Sequence, residues 1–208
     1  MQEVDIVVAP RLDAREHRLE LPPNLRQAVL HARRHLRIDR AAHDALALER
    51  LELRHDSWGI DHGAWSILVH IFPKADIPVV QLSVNGDITE RAAYDLGQRL
   101  ASLREKGYLI MGSGNVVHNL RRVERENEHG SLAADRFDEA IKAAIEQRDD
   151  EAVIDYHRYP DADYAVPTPD HFLPLLYILG ASQGESPYIF NNVRNLGSMA
   201  LTGYAFGL

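Results

Sequence analysis

Every glycine, phenylalanine, tyrosine and tryptophan of this 208-residue chain lies after residue 57. Average usage of about 7% glycine would place roughly four in a stretch of that length. The stretch holds none, and it carries ten arginines. Aromatic rings bury about 150–250 Å² each, so the better-packed part of the molecule is expected after the change in composition. We therefore divide the chain into a divergent N-terminal segment, residues 1–57, and a domain, residues 58–208. At 45% apolar residues, the chain supports one domain with a sizeable core.

Hydrophobic spacing then places the elements. Val4 to Val8 reads as a short strand, and 25–36 and 41–53 have helical spacing without Gly or Pro. Ala64 to Phe72 reads as a helix stopped by Pro73. Ile77 to Val84 is apolar and rich in β-branched residues, as for a strand buried on both faces, with Pro78 tolerated near its start. Glu90 to Lys106 sets Ala93, Leu96, Leu100 and Leu103 on one face and ends at Gly107. Tyr108 to Met111 is the next strand. Strand, helix, strand predicts a parallel pair with a crossover, so the fold class expected is α/β, a single domain with a mostly parallel central sheet flanked by helices. Farther on, Leu132 to Arg148 reads as an amphipathic helix with Leu132, Phe137, Ile141 and Ile145 inward. A polar loop from Asp149 to Tyr164, a helix from His171 to Leu179 and a last strand near Met199 to Phe206 complete the reading.

Charge and cysteine usage exclude several functions. A net charge of −8 and a pI near 5.7 disfavour nucleic acid and anionic membrane as partners, both of which select a basic surface. With no cysteine, disulfides, thiolate metal sites and cysteine nucleophiles are excluded, and any metal must use His and carboxylate. The opening nine residues are too short and acidic for a signal peptide, and no apolar run approaches the roughly 18 residues of a membrane span. A cytoplasmic protein is the expectation.

Three histidines stand beside turn signals: Gly-Ile-Asp-His62-Gly-Ala-Trp, Gly-Ser-Gly-Asn-Val-Val-His118-Asn-Leu and Val-Pro-Thr-Pro-Asp-His171-Phe-Leu-Pro. Gly and Pro end elements and let backbone approach a ligand closely. The loop from Gly112 to His118 follows a strand, where ligands of α/β sheets collect. Each histidine also has a plain structural reading: a loop hydrogen bond for His118, a capping turn for His171, an Asp61–His62 pair that fixes a loop. His31 and His35 are four apart on a presumed helix, but Ala32 stands where the zinc-protease motif needs Glu. Gly112-Ser113-Gly114 lacks the spacing and the following Lys of a phosphate loop.

These three segments, in this order, together with Phe-Pro-Lys-Ala-Asp-Ile-Pro-Val-Val-Gln-Leu-Ser from Phe72 and Leu-Pro-Leu-Leu-Tyr-Ile-Leu-Gly-Ala from Leu173, resemble the class III extradiol ring-cleavage dioxygenases, and most of all the 4,5-DOPA dioxygenase extradiol group. The resemblance runs from Trp58 to the C-terminus. It implies one metal ion per chain, zinc or Fe(II), with O2 as co-substrate and a small aromatic diol as substrate. It implies His171 and His118 as metal ligands, His118 and His62 as catalytic residues, and Asp61, Gly63 and Asn115 as substrate-binding residues.

The family's two N-terminal ligand motifs, a His-Gly-Ser-Pro turn and a Ser-Ala-His-Trp strand end, have no counterpart in this sequence. Either the N-terminus is divergent or shortened, or the reading frame joins the family's near Asp56-Ser57-Trp58; the arginine-rich composition favours the second. The expectation is an extradiol dioxygenase impaired in metal binding, monomeric or homodimeric. The alternative is a non-catalytic or weakly zinc-binding remnant of the same fold.

Overall fold

The structure is a computed structural model that describes residues 5–10, 60, 62–74, 77, 79–85 and 87–208. The division between residues 57 and 58, the helices expected over 25–36 and 41–53, His31, His35 and Asp61 lie outside the described residues. Two compact units are present: one takes in the described residues up to Val84 together with Arg99–Ser113, the other Asn85–Gln98 together with Gly114–Leu208.

The first unit holds strand β1 (Asp5–Pro10), helix α1 (His62–Ile71), and strands β2 (Val80–Ser83) and β3 (Tyr108–Gly112). The strand order is β2-β1-β3. β1 is antiparallel to both neighbours, with Val8 opposite Val80 on one side and Ile110 on the other. β2 and β3 therefore point the same way without pairing. The expected mostly parallel sheet is corrected here: a strand-helix-strand unit sets the relative direction of its strands but not their adjacency, and β1, distant in sequence, occupies the place between them.

Helix α1 ends because Pro73 brings no amide to a following turn and restricts the residue before it; Phe72 makes the closing bond to Leu68 O at 2.7 Å. Ala64, Leu68 and Phe72, four apart, form one stripe and pack with Ile77, Val79, Leu109 and Met111. β2 departs from the expectation of burial on both faces: Val80 is buried, Gln81 and Leu82 are half-buried and Ser83 is exposed.

Helix α2 (Glu90–Glu105) stops before Gly107, whose φ of +85° is a left-handed conformation that favours glycine. In the second unit the start of α2 crosses helix α6 (Leu173–Ala181) closely. A Cβ at Gly97 would enter the Tyr177 backbone, and one at Gly180 would strike the Tyr94 carbonyl.

Helix α3 (Leu132–Glu146) is capped by Ser131 Oγ, which accepts from Ala134 N at 3.2 Å. Phe137, Ile141 and Ile145 are fully buried as the spacing predicts, but Leu132 is 79% exposed. It sits in the first turn, before the stripe has reached the core. The expected loop from Asp149 to Tyr164 is instead folded into helices α4 (Asp150–Ile154) and α5 (Ala162–Ala165) with a tight turn between them. Asp149 caps α4 through Ala152 N at 3.1 Å, and Tyr156 is buried. The expected last strand is two short ones: β4 (Tyr188–Phe190) pairs antiparallel with β7 (Gly203–Ala205), and β5 (Arg194–Asn195) with β6 (Met199–Ala200).

Candidate functional site

His118, His171 and Asn115 come together in the second unit, whereas His62 and Gly63 open helix α1 in the first. His62 is exposed and Gly63 half-buried.

His171 closes a single 3-10 turn, Pro169–His171, begun by a proline whose fixed φ suits a first helical position. Phe172 N donates to Pro169 O at 2.9 Å. The Phe172 ring is fully buried, 4.3 Å from the ring of Tyr156 and 6.3 Å from that of Phe137. An anchored aromatic thus follows His171 directly and fixes where its backbone stands. Asp170 Oδ2 lies 3.7 Å from His171 Nε2. That is long for a hydrogen bond.

The loop carrying His118 runs against this turn. Asn115 N donates to His171 O at 2.9 Å and His118 N to Ala165 O at 2.9 Å, while Val117 O accepts from Ala200 N at 3.0 Å. Val116 and Val117 are buried beneath it. Gly114 makes the approach possible, since a Cβ there would collide with the His171 carbonyl oxygen. The Asn115 side chain, expected to face substrate, donates Nδ2 to Ala200 O at 2.8 Å.

The outcome is two stacked imidazoles: the rings of His118 and His171 are 3.6 Å apart between centroids and inclined by 17°. Burial pushes the His118 pKa below the ordinary imidazole value, and the Asp170 carboxylate pulls it partly back. His118 is accordingly neutral at physiological pH. A neutral imidazole can accept a proton from an acidic hydroxyl such as that of a catechol.

The implied metal fits this donor set poorly. Nitrogen lone pairs lie in the ring plane, so two nearly parallel rings direct them side by side rather than toward one ion. Among the described residues no group of three or more His, Cys, Asp or Glu is placed to hold a metal ion, against about four donors for a structural zinc.

Sequence reasoning passed over the residues that fix the loop behind His118. Asn119 is buried, with Nδ2 donating to Tyr164 O at 2.7 Å and Oδ1 accepting from Arg121 N at 3.2 Å. Ser198 Oγ donates to Asn119 O at 2.8 Å. The available signal was the Asn directly after the histidine, a residue type that caps short turns.

A family model described as the catalytic LigB subunit of aromatic ring-opening dioxygenase matches residues 13–207. The chain belongs to this family. The LigB match extends ahead of Trp58 into the arginine-rich stretch. Similar proteins include the 4,5-DOPA dioxygenase extradiol of Escherichia coli strain K12, 37% identical over 148 residues that are 69% of this chain and 55% of that protein. The 4,5-DOPA dioxygenase extradiol of Beta vulgaris is 35% identical over 150 residues, 71% of this chain and 56% of that one. The chain thus spans about half the length of the curated relatives it matches. The crystal structure of an uncharacterized protein from Escherichia coli K12 superposes with a TM-score of 0.70 at 29% identity, covering 96% of this chain and 80% of that one. Among the described residues no helix is long and apolar enough to cross a membrane.

Proposed function

We propose that this LigB-family chain is built for the extradiol opening of a catechol such as DOPA, beside its hydroxyls, with O2 as co-substrate and one zinc or Fe(II) ion per chain, and that it is impaired in this reaction because the family's two N-terminal ligand motifs have no counterpart in its sequence. The observation that carries the reading is the stacked His118–His171 pair beside Gly114 in a member of an aromatic ring-opening family. In this reading His118 takes a hydroxyl proton from the diol through its neutral imidazole, and His171 lies against it, its ring beside the Asp170 carboxylate. Asp61, His62 and Gly63 orient the substrate. The partner is a small diol rather than nucleic acid or membrane, and the compartment is the cytoplasm.

A second reading is favoured by the donor count: a non-catalytic or weakly zinc-binding member of the same fold. Two stacked imidazoles hold a metal weakly, so we expect little ring cleavage by this chain with added Fe(II). Oxygen uptake and ring-opened product are to be followed with DOPA for this chain and for a chimera carrying the N-terminal part of the Escherichia coli relative. Cleavage by the chimera that is lost on His118→Ala supports the enzymatic reading. A metal-loaded, folded chimera that leaves DOPA intact overturns it in favour of the second.

A further inference from the structure

We propose that Asn119 is a positioning residue that holds the His118 ring against His171, by clamping the loop 115–119 between the backbone at Tyr164–Ala165 and that at Ser198–Ala200. The proposal rests on the reading of His118 as a site residue, and nothing in it depends on a metal.

The argument is one of polar bookkeeping at a buried position. Asn119 is 5% exposed, and a primary amide taken out of water has to recover its hydrogen bonds inside the protein. It does so entirely within the loop and its two neighbours. The side chain donates to Tyr164 O and accepts from Arg121 N. The main chain donates to Ser198 O at 3.1 Å and accepts from the hydroxyl of fully buried Ser198. Asn119 thus binds two separate segments at once, leaving little with which to contact a ligand.

Immediately before it, His118 N is held by Ala165 O, and His118 forms an antiparallel bridge with Met199. At the far end of the loop Asn115 repeats the arrangement, with its amide nitrogen on Ala200 O and its backbone N–H on His171 O. Two asparagines therefore bracket His118, both tying the loop to the Ser198–Ala200 segment and each adding a second tie of its own, Asn115 to His171 and Asn119 to Tyr164. With both ends fixed, the Cα–Cβ direction of His118 is fixed as well. Sites require placement to about 0.5 Å and 10–20°, and the three residues between the two anchors, Val116, Val117 and His118, have little freedom to depart from it.

The test reads the ring geometry directly. In the isotopically labelled full chain the stacked rings give a nuclear Overhauser effect between the ring protons of His118 and His171 and mutual ring-current shifts. Asn119→Asp keeps the shape and the acceptor for Arg121 N but sets a carboxylate oxygen against the Tyr164 carbonyl. Ser198→Ala removes the hydroxyl bond of the second tie and leaves only its backbone bond, and Ser198→Thr retains the hydroxyl. We expect both signals to be lost in Asn119→Asp and Ser198→Ala and kept in Ser198→Thr, with the Phe137, Tyr156 and Phe172 ring contacts unchanged in all three.

Retention of the His118–His171 signals in Asn119→Asp and Ser198→Ala overturns the clamp, as does their absence from the unaltered chain. If Asn119→Asp fails to fold, Ser198→Ala against Ser198→Thr decides alone. No step uses turnover, so ring signals that survive in Asn119→Asp and Ser198→Ala, or that are missing from the unaltered chain, speak against the clamp, whereas an intact signature with an inactive chimera speaks against the proposed function.

Discussion

The amide of Asn115 donates to the carbonyl oxygen of His171 at 2.9 Å, and the residue just before Asn115 has no room for a side chain because that same carbonyl stands over it. Gly114 is exposed, so its smallness serves this approach rather than a packed core. Gly114→Ala must push the His171 turn and the His118 loop apart. Relief of such a clash by backbone shifts costs about 1–3 kcal/mol. We expect a lower unfolding temperature together with loss of the His118–His171 ring contact; a Gly114→Ala protein with both unchanged would contradict the close approach.

The aromatic residue behind His171 gives a second expectation. Phe172 is fully buried against Tyr156 and Phe137, and Phe172→Ala should cost about 3–5 kcal/mol. Phe172→Leu fills much of the space and should cost less. Denaturant unfolding monitored by tyrosine fluorescence separates the two; equal stabilities would mean that the cluster is not a packed core.

Much of this framework could be read from the sequence, and the failures have physical causes. Phe137, Ile141 and Ile145 are called inward by a 3.6-residue period, and period also gives α1 and α2, because helices are local. Gly107 ends its helix for a reason written in one residue, its left-handed backbone. Leu132 has the right period yet lies outside, since a stripe says nothing about where a helix meets its neighbours. Helices of four or five residues such as α4 and α5 hold barely one turn, too few for a period to show. The insertion of β1 between β2 and β3 depends on pairing across about 70 to 100 residues of chain, which no local pattern encodes. The turn histidines were visible because Gly and Pro mark them. Asn119 and Ser198 were not, since their partners Tyr164 and each other come from remote parts of the chain.

A buried ion pair supplies a third expectation. Asp138 is fully buried on α3, with Arg194 Nε at 2.8 Å and Thr202 Oγ1 at 2.9 Å; Arg194 also pairs with Glu139. Removing one partner of a buried pair typically costs about 3–5 kcal/mol, because the other charge is left uncompensated. Burial already raises the Asp138 pKa against the opposing pull of Thr202 and Arg194. In Arg194→Ala that pull is lost and the pKa rises further, so the folded state holds a proton that the unfolded chain releases at the same pH. Its stability is then favoured below the unfolded carboxyl pKa and declines as pH rises through the folded value. Arg194→Ala should therefore destabilise more at pH 7 than at pH 4; the reverse order would contradict an uncompensated carboxylate.

The His118 ring has the opposite dependence. Its pKa is lowered by burial, so the folded state resists a proton that the unfolded chain accepts near pH 6.5. The associated stability is present above that value and is lost as pH falls through the lower folded pKa. His118→Gln, which cannot titrate, should flatten this part of the stability profile measured between pH 7.5 and 5. An unchanged slope would assign the dependence to other groups.

Metal removal separates a folding cofactor from a loosely held ion. A structural zinc with about four ligands contributes folding free energy outright, and chelators then unfold the protein. Here the second unit is held by the buried rings of Phe137, Tyr156 and Phe172 and by the Asp138–Arg194 pair. The described residues assemble no three-donor group, and His118 and His171 present stacked rather than converging rings. Incubation of the purified chain with EDTA should therefore leave its unfolding temperature where it was, and added Zn²⁺ should raise it only at concentrations that saturate weak sites, following the RT ln(1 + [L]/Kd) dependence of a ligand bound to the folded state. A fall of more than about 2–4 °C on chelation, the shift that about 1 kcal/mol produces in a chain of roughly this length, would mean that a complete donor set holds the ion and that the two histidines are part of a larger centre.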